Sequence, residues 1–142
     1  MQLNRTIPTL LACVVILLSG ASQAGVREDQ LAQYASAAKA VSPAFAGFSA
    51  ERGKTLHTQN FTGGKPDTPA CTSCHGKDTR GAGRSPTGKT IDAMAVSATP
   101  ARYTDPAKVE KWFRRNCNDV AGRECSAAEK ADVMAWLLAL KP

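Results

Sequence analysis

The sequence predicts an all-α domain whose helices are separated by long loops. Four segments carry helix signals: an Ala-rich stretch at Glu28–Val41, and three stretches introduced by the capping residues Ser49, Asp105 and Ser126. Alternating runs of β-branched residues, which favour strands, are absent from the sequence. The segment Asn60–Thr90 is rich in Gly, Pro, Thr and Asp and predicts a long loop, apart from a turn of helix near Cys71.

Two helices are predicted before this loop. The apolar stripe of the first consists of Leu31, Tyr34 and Ala38. Pro43 ends this helix soon afterwards, because proline cannot continue it. Ser49 can cap the second helix, which we expect to run to about His57. Gly53 lies inside that segment and weakens a helix by roughly 1 kcal/mol relative to alanine.

Two further helices are predicted after the loop. Asp105-Pro106 combines a capping residue with proline at the first helical position, so the third helix begins there and runs to about Asn116. Ser126 and Glu129 form a capping box for the last helix, which ends near Leu140. The predicted buried face of the last helix consists of Val133, Trp136, Leu137 and Leu140.

Length and composition fit one small globular domain. The chain has 142 residues, of which 43% are hydrophobic and 21% charged, and 18 basic residues against 12 acidic ones give a formal net charge of +6. This length leaves no room for a second independent core, and the charged fraction is too low for a disordered polyelectrolyte. The five cysteines are an odd number, so at least one of them is not in an intramolecular pair.

Residues 1–24 have the pattern of a secretory signal peptide. Arg5 supplies the positive charge, residues 10–18 form an apolar stretch too short to span a bilayer of about 30 Å, and Ser22-Gln23-Ala24 carries the small residues that signal peptidase requires. We therefore predict cleavage after Ala24. The alternatives are an uncleaved anchor and a lipoprotein modified at Cys13. The apolar run continues beyond Cys13, which argues against the lipoprotein.

Cleavage leaves one domain, residues 25–142, with four cysteines. Its net charge is +5, since the removed segment contains Arg5 and no acidic residue. No later segment is long and apolar enough to span a membrane. We therefore expect a periplasmic protein in an oxidising compartment.

The strongest motif is Cys71-Thr72-Ser73-Cys74-His75, the C-x-x-C-H pattern of c-type haem attachment. Two thiols three positions apart can reach the two vinyl groups of one haem, and the adjacent histidine can bind the iron as the proximal ligand. The motif therefore predicts one covalent haem c on Cys71 and Cys74, with His75 on the iron. A large apolar cofactor would also organise the long loop around it.

Two other interpretations of these cysteines can be weighed. A thioredoxin-like dithiol needs a βαβ context, which the sequence lacks. A zinc site would add Cys117 and Cys125 as ligands, and both export and the adjacent His75 argue against it.

A second motif, Gly83–Thr90, matches the phosphate-binding pattern G-x-x-x-x-G-K-[ST]. That pattern binds phosphates only between a buried strand and a helix N-terminus, and here it follows polar residues. We predict a basic surface loop instead.

Basic residues exceed acidic ones around the haem motif. The residues are Lys65, Lys77, Arg80, Arg84 and Lys89, against Asp67 and Asp78. They could form a rim that steers an acidic redox partner, and a solvated loop is the alternative. Nucleic acid is not an expected partner of an exported protein of this kind.

The ligand on the second face of the haem iron determines the function. A strong sixth ligand gives an electron carrier, whereas a weak or absent one lets small molecules bind. Met94 lies in a loop where an electron carrier could place its methionine ligand, while Met134 lies inside the last helix and is expected to pack there. His57 could complete a bis-histidine site, although we expect it to be packed or solvated.

Asn116 is a less obvious candidate for this position. Val109, Trp112 and Asn116 share one face of the third helix, so we expect that face to point toward the core. A buried amide without a partner costs about 1–3 kcal/mol. Asn116 therefore needs either a backbone group at the helix end or the iron.

Cys117 and Cys125 enclose a short predicted loop, residues 118–124, in which Gly122 permits a tight return. A disulfide between them would tie the residue beside Asn116 to the start of the last helix, and it would contribute roughly 2–3 kcal/mol to stability. Free thiols are the alternative, which export makes weaker.

Several segments, together with the haem motif, resemble the sphaeroides haem protein family of monohaem c-type cytochromes. They are Val109-Glu110-Lys111-Trp112, Asn116-Cys117-Asn118, Gly122-Arg123-Glu124-Cys125, Lys130-Ala131-Asp132 and Ala135-Trp136-Leu137. The resemblance is close from about Glu51 to Leu140 and loose before that. Its most specific part is the Asn-Cys-Asn segment between the two tryptophan-containing helices.

The resemblance implies a fold like that of class I cytochromes c and a high-spin haem. It implies that Asn116 is the sixth ligand in the oxidised form and leaves on reduction, which opens the iron to oxygen, nitric oxide or other small ligands. It also implies a disulfide between Cys117 and Cys125. The implied electron-transfer partners are a dihaem cytochrome c and a membrane cytochrome b.

Two main functional hypotheses result. In the first, an exported redox protein binds a diatomic ligand at its reduced haem, and Asn116 is the reversible gate. In the second, the protein is an ordinary electron carrier with a permanent Met94 ligand. Enzymatic turnover, such as reduction of oxygen or a nitrogen oxide, is a third possibility, but the sequence places no histidine or acid as a proton donor.

Overall fold

Helices form most of the regular structure in this protein. The computed structural model describes residues 15–142, with side chains from residue 23 onward, so Arg5, Cys13 and most of the predicted signal peptide lie outside the described residues. Within that part of the chain the helices are α1 (Val15–Val41), α2 (Ala50–Thr58), α3 (Thr72–His75), α4 (Pro106–Ala121) and α5 (Ala127–Ala139). The predicted all-α class is confirmed. A two-residue antiparallel pair, β1 (Gly83–Arg84) with β2 (Thr90–Ile91), is an addition to it.

The predicted caps start three of these helices. Ser49 and Asp105 accept hydrogen bonds from backbone N–H groups in the first turns of α2 and α4, at 3.3 and 3.0 Å. Ser126 and Glu129 form the complete capping box at the start of α5. Local sequence signals therefore set these helix starts.

Helix α1 covers the predicted Glu28–Val41 segment and passes through Ala24 without a break. Cleavage after Ala24 remains a prediction. No helix within residues 15–142 is long and apolar enough to cross a membrane.

Helix α4 runs to Ala121, beyond the end predicted near Asn116. Gly122 terminates it in the left-handed conformation, with φ +70°, and donates from its N–H to the carbonyl of Asn118 at 3.1 Å. The prediction that residues 118–121 form a loop was wrong, because Val120 extends the buried face of the helix by another turn.

Helix α5 is central to the core, and both α1 and α2 pack against it. One cluster joins Tyr34 of α1, Val109 of α4 and Met134 of α5. A second cluster contains the α5 residues predicted to be buried, Val133, Trp136 and Leu137, with Leu140 partly buried against them. The apolar face predicted for the last helix is therefore confirmed.

Gly53 marks the crossing of α2 and α5. A Cβ atom at this position would lie 2.1 Å from the carbonyl oxygen of Asp132. The glycine that weakens α2 as an isolated helix therefore permits its backbone to approach α5.

Candidate haem site

The haem motif forms a single helical turn. Cys71 caps α3, and the His75 N–H donates to the Cys71 carbonyl at 3.0 Å. This turn places Cys71 and Cys74, three positions apart, on the same side. Within residues 15–142 neither thiol is paired, and both residues are partly buried.

The β1–β2 hairpin packs directly on this turn. A Cβ atom on Gly83 would lie 2.3 Å from the Cys74 carbonyl oxygen, so only glycine fits there. Residues 84–90 are otherwise mostly exposed, and the segment ends in β2 instead of starting a helix. The Gly83–Thr90 segment is a basic surface loop, as predicted. It lacks the helix N-terminus that a phosphate-binding loop requires.

The imidazole of His75 is suited to metal ligation. Burial, the neighbouring His57 and the charge of Arg102 together lower the pKa of His75 to about 4. The ring is therefore neutral at physiological pH and has a free nitrogen lone pair, which is the form that binds iron.

The two thiols are not activated as a redox dithiol would be. Burial raises the pKa of Cys71 to about 11, and burial with the charges of Asp67 and Asp119 raises the pKa of Cys74. Reactive dithiols instead have depressed pKa values. Attachment to haem vinyl groups fits this pair better.

Cys117 and Cys125 are joined by a disulfide in the structure, with their Cα atoms 5.7 Å apart. The bridge ties the last third of α4 to the residue before the α5 cap. Because both sulfurs are in the disulfide, Cys117 and Cys125 are excluded as ligands of the alternative zinc site. Within residues 15–142 no three His, Cys, Asp or Glu side chains form a cluster suited to a metal ion.

The segment before the haem motif is fixed to the C-terminal end of α4. The Lys65 N–H donates to the Asp119 carbonyl at 2.7 Å, and the Lys65 Nζ lies 2.8 Å from the Asp119 carboxylate. Gly64 packs directly on this helix, since a Cβ there would meet the carbonyl oxygens of Asp119 and Val120. Asp119 lies one helical turn from Asn116, so the helix that carries Asn116 is held beside the haem segment.

Asn116 and Trp112 lie on an open face of α4. Val109 is buried, but Trp112 is 41% exposed and Asn116 is exposed. The expectation that all three residues face a protein core was therefore wrong, because no helix of the described chain covers this part of α4. The Asn116 side chain also forms no hydrogen bond with the described residues.

The other sequence candidates are packed elsewhere. Met94 is half-buried against the second α5 cluster, and Met134 is fully buried in the first, as predicted. His57 is only 1% exposed, its Nε2 lies 2.9 Å from the Gly76 carbonyl, and its ring centroid lies 5.0 Å from that of Trp136. His57 is therefore a packed residue, as expected, and its Nε2 is already engaged.

The residues present fit a covalent haem c. Two thiols on one side of a turn and a neutral imidazole beside them form the required donor set. The exposed indole of Trp112 offers an apolar surface that a planar macrocycle can cover. Thr68 and Thr79, which flank the motif, bury hydroxyl oxygens that have no partner within the described part of the chain. Such orphaned groups are expected where a further polar group belongs.

Sequence reasoning missed two residues near this site. Asp119 and Arg102 act on Cys74 and His75 through their charges, but both lie far from the motif in the chain. Neither belongs to a motif or to a periodic pattern, so only the tertiary structure reveals them.

Comparison with known proteins identifies the chain. Residues 43–137 match the family model described as a domain of unknown function, DUF1924. The chain is 60% identical over 90 residues to the cytochrome c-type protein SHP of Cereibacter sphaeroides, which covers 63% of this chain and 70% of that protein. The chain belongs to the sphaeroides haem protein family. The chain is also similar to cytochrome c'' of Methylophilus methylotrophus, with 33% identity over 135 residues. The match covers 93% of this chain and 94% of that protein.

Solved structures of these relatives share the fold. Oxidised SHP, described as an oxygen-binding cytochrome c, superposes with a TM-score of 0.74 at 52% identity, over 80% of this chain and 96% of that one. The crystal structure of oxidised cytochrome c'' superposes with a TM-score of 0.74 at 32% identity, over 83% of this chain and 97% of that one. A solution structure of cytochrome c'', described in relation to haem-ligand detachment, superposes with a TM-score of 0.71 at 33% identity. The match covers 82% of this chain and 94% of that one. The predicted family and cytochrome fold are confirmed, and the chain is a c-type cytochrome.

Proposed function

We propose that this cytochrome is an exported monohaem redox protein whose reduced haem binds a small ligand such as oxygen or nitric oxide. Cys71 and Cys74 hold the haem covalently, His75 is the proximal ligand, and Asn116 is a reversible sixth ligand. One observation carries the proposal. The Asn116 amide is exposed, has no hydrogen-bond partner among the described residues, and lies on a helix that Lys65 and Asp119 hold beside the haem motif.

The chemistry of the amide explains why it would act as a gate. When bound, haem c would supply an iron that exchanges one electron. The amide oxygen of Asn116 is a hard, neutral, weak donor, which suits Fe(III) better than Fe(II). Reduction of the iron would therefore weaken the bond from Asn116, whereas a methionine would favour the reduced iron and would stay bound.

The surroundings of Asn116 support a movement limited to the side chain. Cys117, the next residue, is buried and cross-linked to Cys125, which fixes the backbone. The exposed amide can rotate without unpacking α4. Release then costs little conformational rearrangement, as a reversible gate requires.

The relatives support ligand exchange at this haem. SHP is described as an oxygen-binding cytochrome, and cytochrome c'' is described in relation to haem-ligand detachment. Both properties fit a sixth ligand that dissociates. The rival hypothesis of a permanent Met94 ligand is disfavoured because Met94 packs against the cluster of Val133, Trp136 and Leu137.

The electron-transfer partners are proposed from charge and from the family resemblance. A dihaem cytochrome c and a membrane cytochrome b are the partners that the resemblance implies. The basic rim would help an acidic surface to dock. Within the described chain, Lys65 and Arg80 are paired with Asp119 and Asp78, while Lys77 and Lys89 are exposed and form no ion pair.

Replacement of Asn116 by alanine tests this function. In Asn116→Ala we expect an altered optical and paramagnetic resonance spectrum of the oxidised protein, with carbon monoxide binding to the reduced protein unchanged. Asn118→Ala is the matched control, because Asn118 is also exposed on α4 but donates to the Arg114 carbonyl at 2.7 Å. An oxidised spectrum of Asn116→Ala identical to that of wild type would remove Asn116 from the coordination sphere.

A further inference from the structure

His57 is a buried polar residue beside the haem motif, outside the donor set proposed above. It lies near the C-terminal end of α2, is 1% exposed, and its Nε2 lies 2.9 Å from the Gly76 carbonyl oxygen. A carbonyl oxygen can only accept, so Nε2 carries the proton and donates it. This hydrogen bond joins α2 to the residue that directly follows the proposed proximal ligand, His75.

The core of the protein holds the His57 ring in place. Gly53, one turn earlier in α2, lets the helix backbone approach the Asp132 backbone in α5. The His57 ring packs on Trp136 of α5, with the two ring centroids 5.0 Å apart. The His57 centroid also lies 6.4 Å from the centroid of the His75 ring. The crossing of α2 and α5 therefore places a fixed donor close to the imidazole of His75.

The turn that receives this hydrogen bond needs support from outside. Gly76 has φ +68° and ψ 179°, a conformation that glycine alone adopts readily. Glycine also reaches many other conformations, so contacts with the rest of the protein must select this one. The Gly76 N–H donates to the Thr72 carbonyl at 3.0 Å, but a helix of four residues is not stable by itself. The hydrogen bond from His57 is a second contact, and it comes from the core.

We infer that His57 is a positioning residue for the proximal ligand. Its Nε2–H holds the Gly76 carbonyl, and this contact fixes the backbone of His75 and the direction of the His75 imidazole. The hairpin restricts the same turn, since a Cβ atom on Gly83 would lie 3.1 Å from the His75 Cα. The inference rests on the proposed function, in which His75 binds the iron. Contacts that orient a metal-binding histidine also tune the metal, so His57 would act on the iron through His75 without touching it.

Two substitutions of His57 separate the hydrogen bond from the packing. His57→Phe keeps a ring on Trp136 and removes the donor, whereas His57→Gln removes the ring and can keep an N–H donor to Gly76. Val133→Ala, in the same buried cluster as Trp136, is the control for a loss of core packing alone.

Three spectra are recorded for each holoprotein. The pyridine haemochrome spectrum checks covalent haem. Resonance Raman gives the iron–histidine stretching band of the reduced protein, and proton NMR gives the hyperfine-shifted resonances of the His75 ring in the oxidised protein. Both of these report the orientation and bonding of the proximal imidazole, which a purely structural role of His57 would leave unchanged.

In His57→Phe we expect the stretching band and the His75 resonances to move away from their wild-type positions. Both should lie closer to wild type in His57→Gln, because the donor is restored, and should stay at wild type in Val133→Ala although its stability falls. Wild-type positions in a His57→Phe protein that retains haem would overturn the inference. Equal displacement in His57→Phe and His57→Gln, or in His57→Phe and Val133→Ala, would overturn it too.

The wild-type protein supplies a test that needs no folded variant. A long-range nitrogen–proton correlation spectrum of the reduced protein under carbon monoxide should show the His57 ring protonated at Nε2, and protonation at Nδ1 alone would overturn the inference. Under carbon monoxide the reduced haem is low-spin with either the gas or a methionine on the iron, so failure of the proposed gate leaves this test in force. Absence of covalent haem from the wild-type protein would overturn the proposed function together with this inference.

Discussion

Glu129 connects a helix cap to an ion pair. Arg123 donates to both of its carboxylate oxygens, at 2.8 and 2.7 Å, and the Ser126 N–H donates to the same group at 2.8 Å. The hydrogen bonds from Arg123 hold the pKa of Glu129 below its usual 4.5, although burial opposes this. Because the folded state has the lower pKa, its stabilisation is complete above about pH 4.5 and is lost as the pH falls through the folded value.

Glu129→Gln should therefore lower the free energy of unfolding at neutral pH by about 1 kcal/mol and flatten its decline in acid. Urea denaturation from neutral pH down to about pH 3 measures both effects. Glu124→Gln is the control, since Glu124 lies on the exposed surface 3.9 Å from Arg114. Equal acid dependence in wild type and Glu129→Gln would contradict the role assigned to this carboxylate.

Contacts between elements determine how α2 sits on α5. Alanine is favoured over glycine inside a helix by roughly 1 kcal/mol, so Gly53→Ala would stabilise α2 alone. In the folded protein the new Cβ meets the Asp132 backbone, and we expect a net loss of about 1–3 kcal/mol. Thermal or urea unfolding measures the change. Thr55→Ala, at an exposed position of the same helix, is the control and should show no comparable loss of stability. A Gly53→Ala variant more stable than wild type would show that α2 and α5 leave room for a Cβ atom at their crossing.

The disulfide between α4 and α5 is a second link at this scale. It closes a loop with a sequence separation of 8, for which chain entropy predicts about 2–3 kcal/mol of stabilisation. The double variant Cys117→Ser/Cys125→Ser should lose this amount in urea unfolding, and its oxidised spectrum should become less uniform because the backbone beside Asn116 is no longer fixed. Unchanged stability would show that the packing of Val120 and the contacts of Asp119 with Lys65 hold the end of α4 without the disulfide.

For the molecule as a whole, local features were predictable and distant contacts were not. The caps at Ser49, Asp105 and Ser126 act within one helical turn, and the haem motif spans five residues, so the sequence alone indicates them. Trp112 was predicted to face the core but is exposed, because its exposure depends on which elements cover α4. Arg102 was missed because its neighbours, from α1 and from the Asp92–Met94 segment, meet it only in the folded chain.

Net charge affects how the whole molecule meets its partners. Residues 25–142 carry a net charge of +5, and Lys77 and Lys89 remain exposed without an ion pair in the described structure. Electron exchange with an acidic redox protein should slow as ionic strength rises, and more weakly so in Lys77→Gln/Lys89→Gln. Lys39→Gln, at the end of α1, is the control. Stopped-flow rates with the same salt dependence in all three proteins would exclude the rim as a docking surface.

The optical spectrum of the purified holoprotein, recorded in both oxidation states with and without carbon monoxide, tests the reversible gate. We predict an oxidised spectrum that carbon monoxide leaves unchanged, and a high-spin reduced spectrum that shifts when carbon monoxide is added. A low-spin reduced spectrum with methionine ligation, insensitive to carbon monoxide, would contradict this prediction and assign the sixth position to Met94.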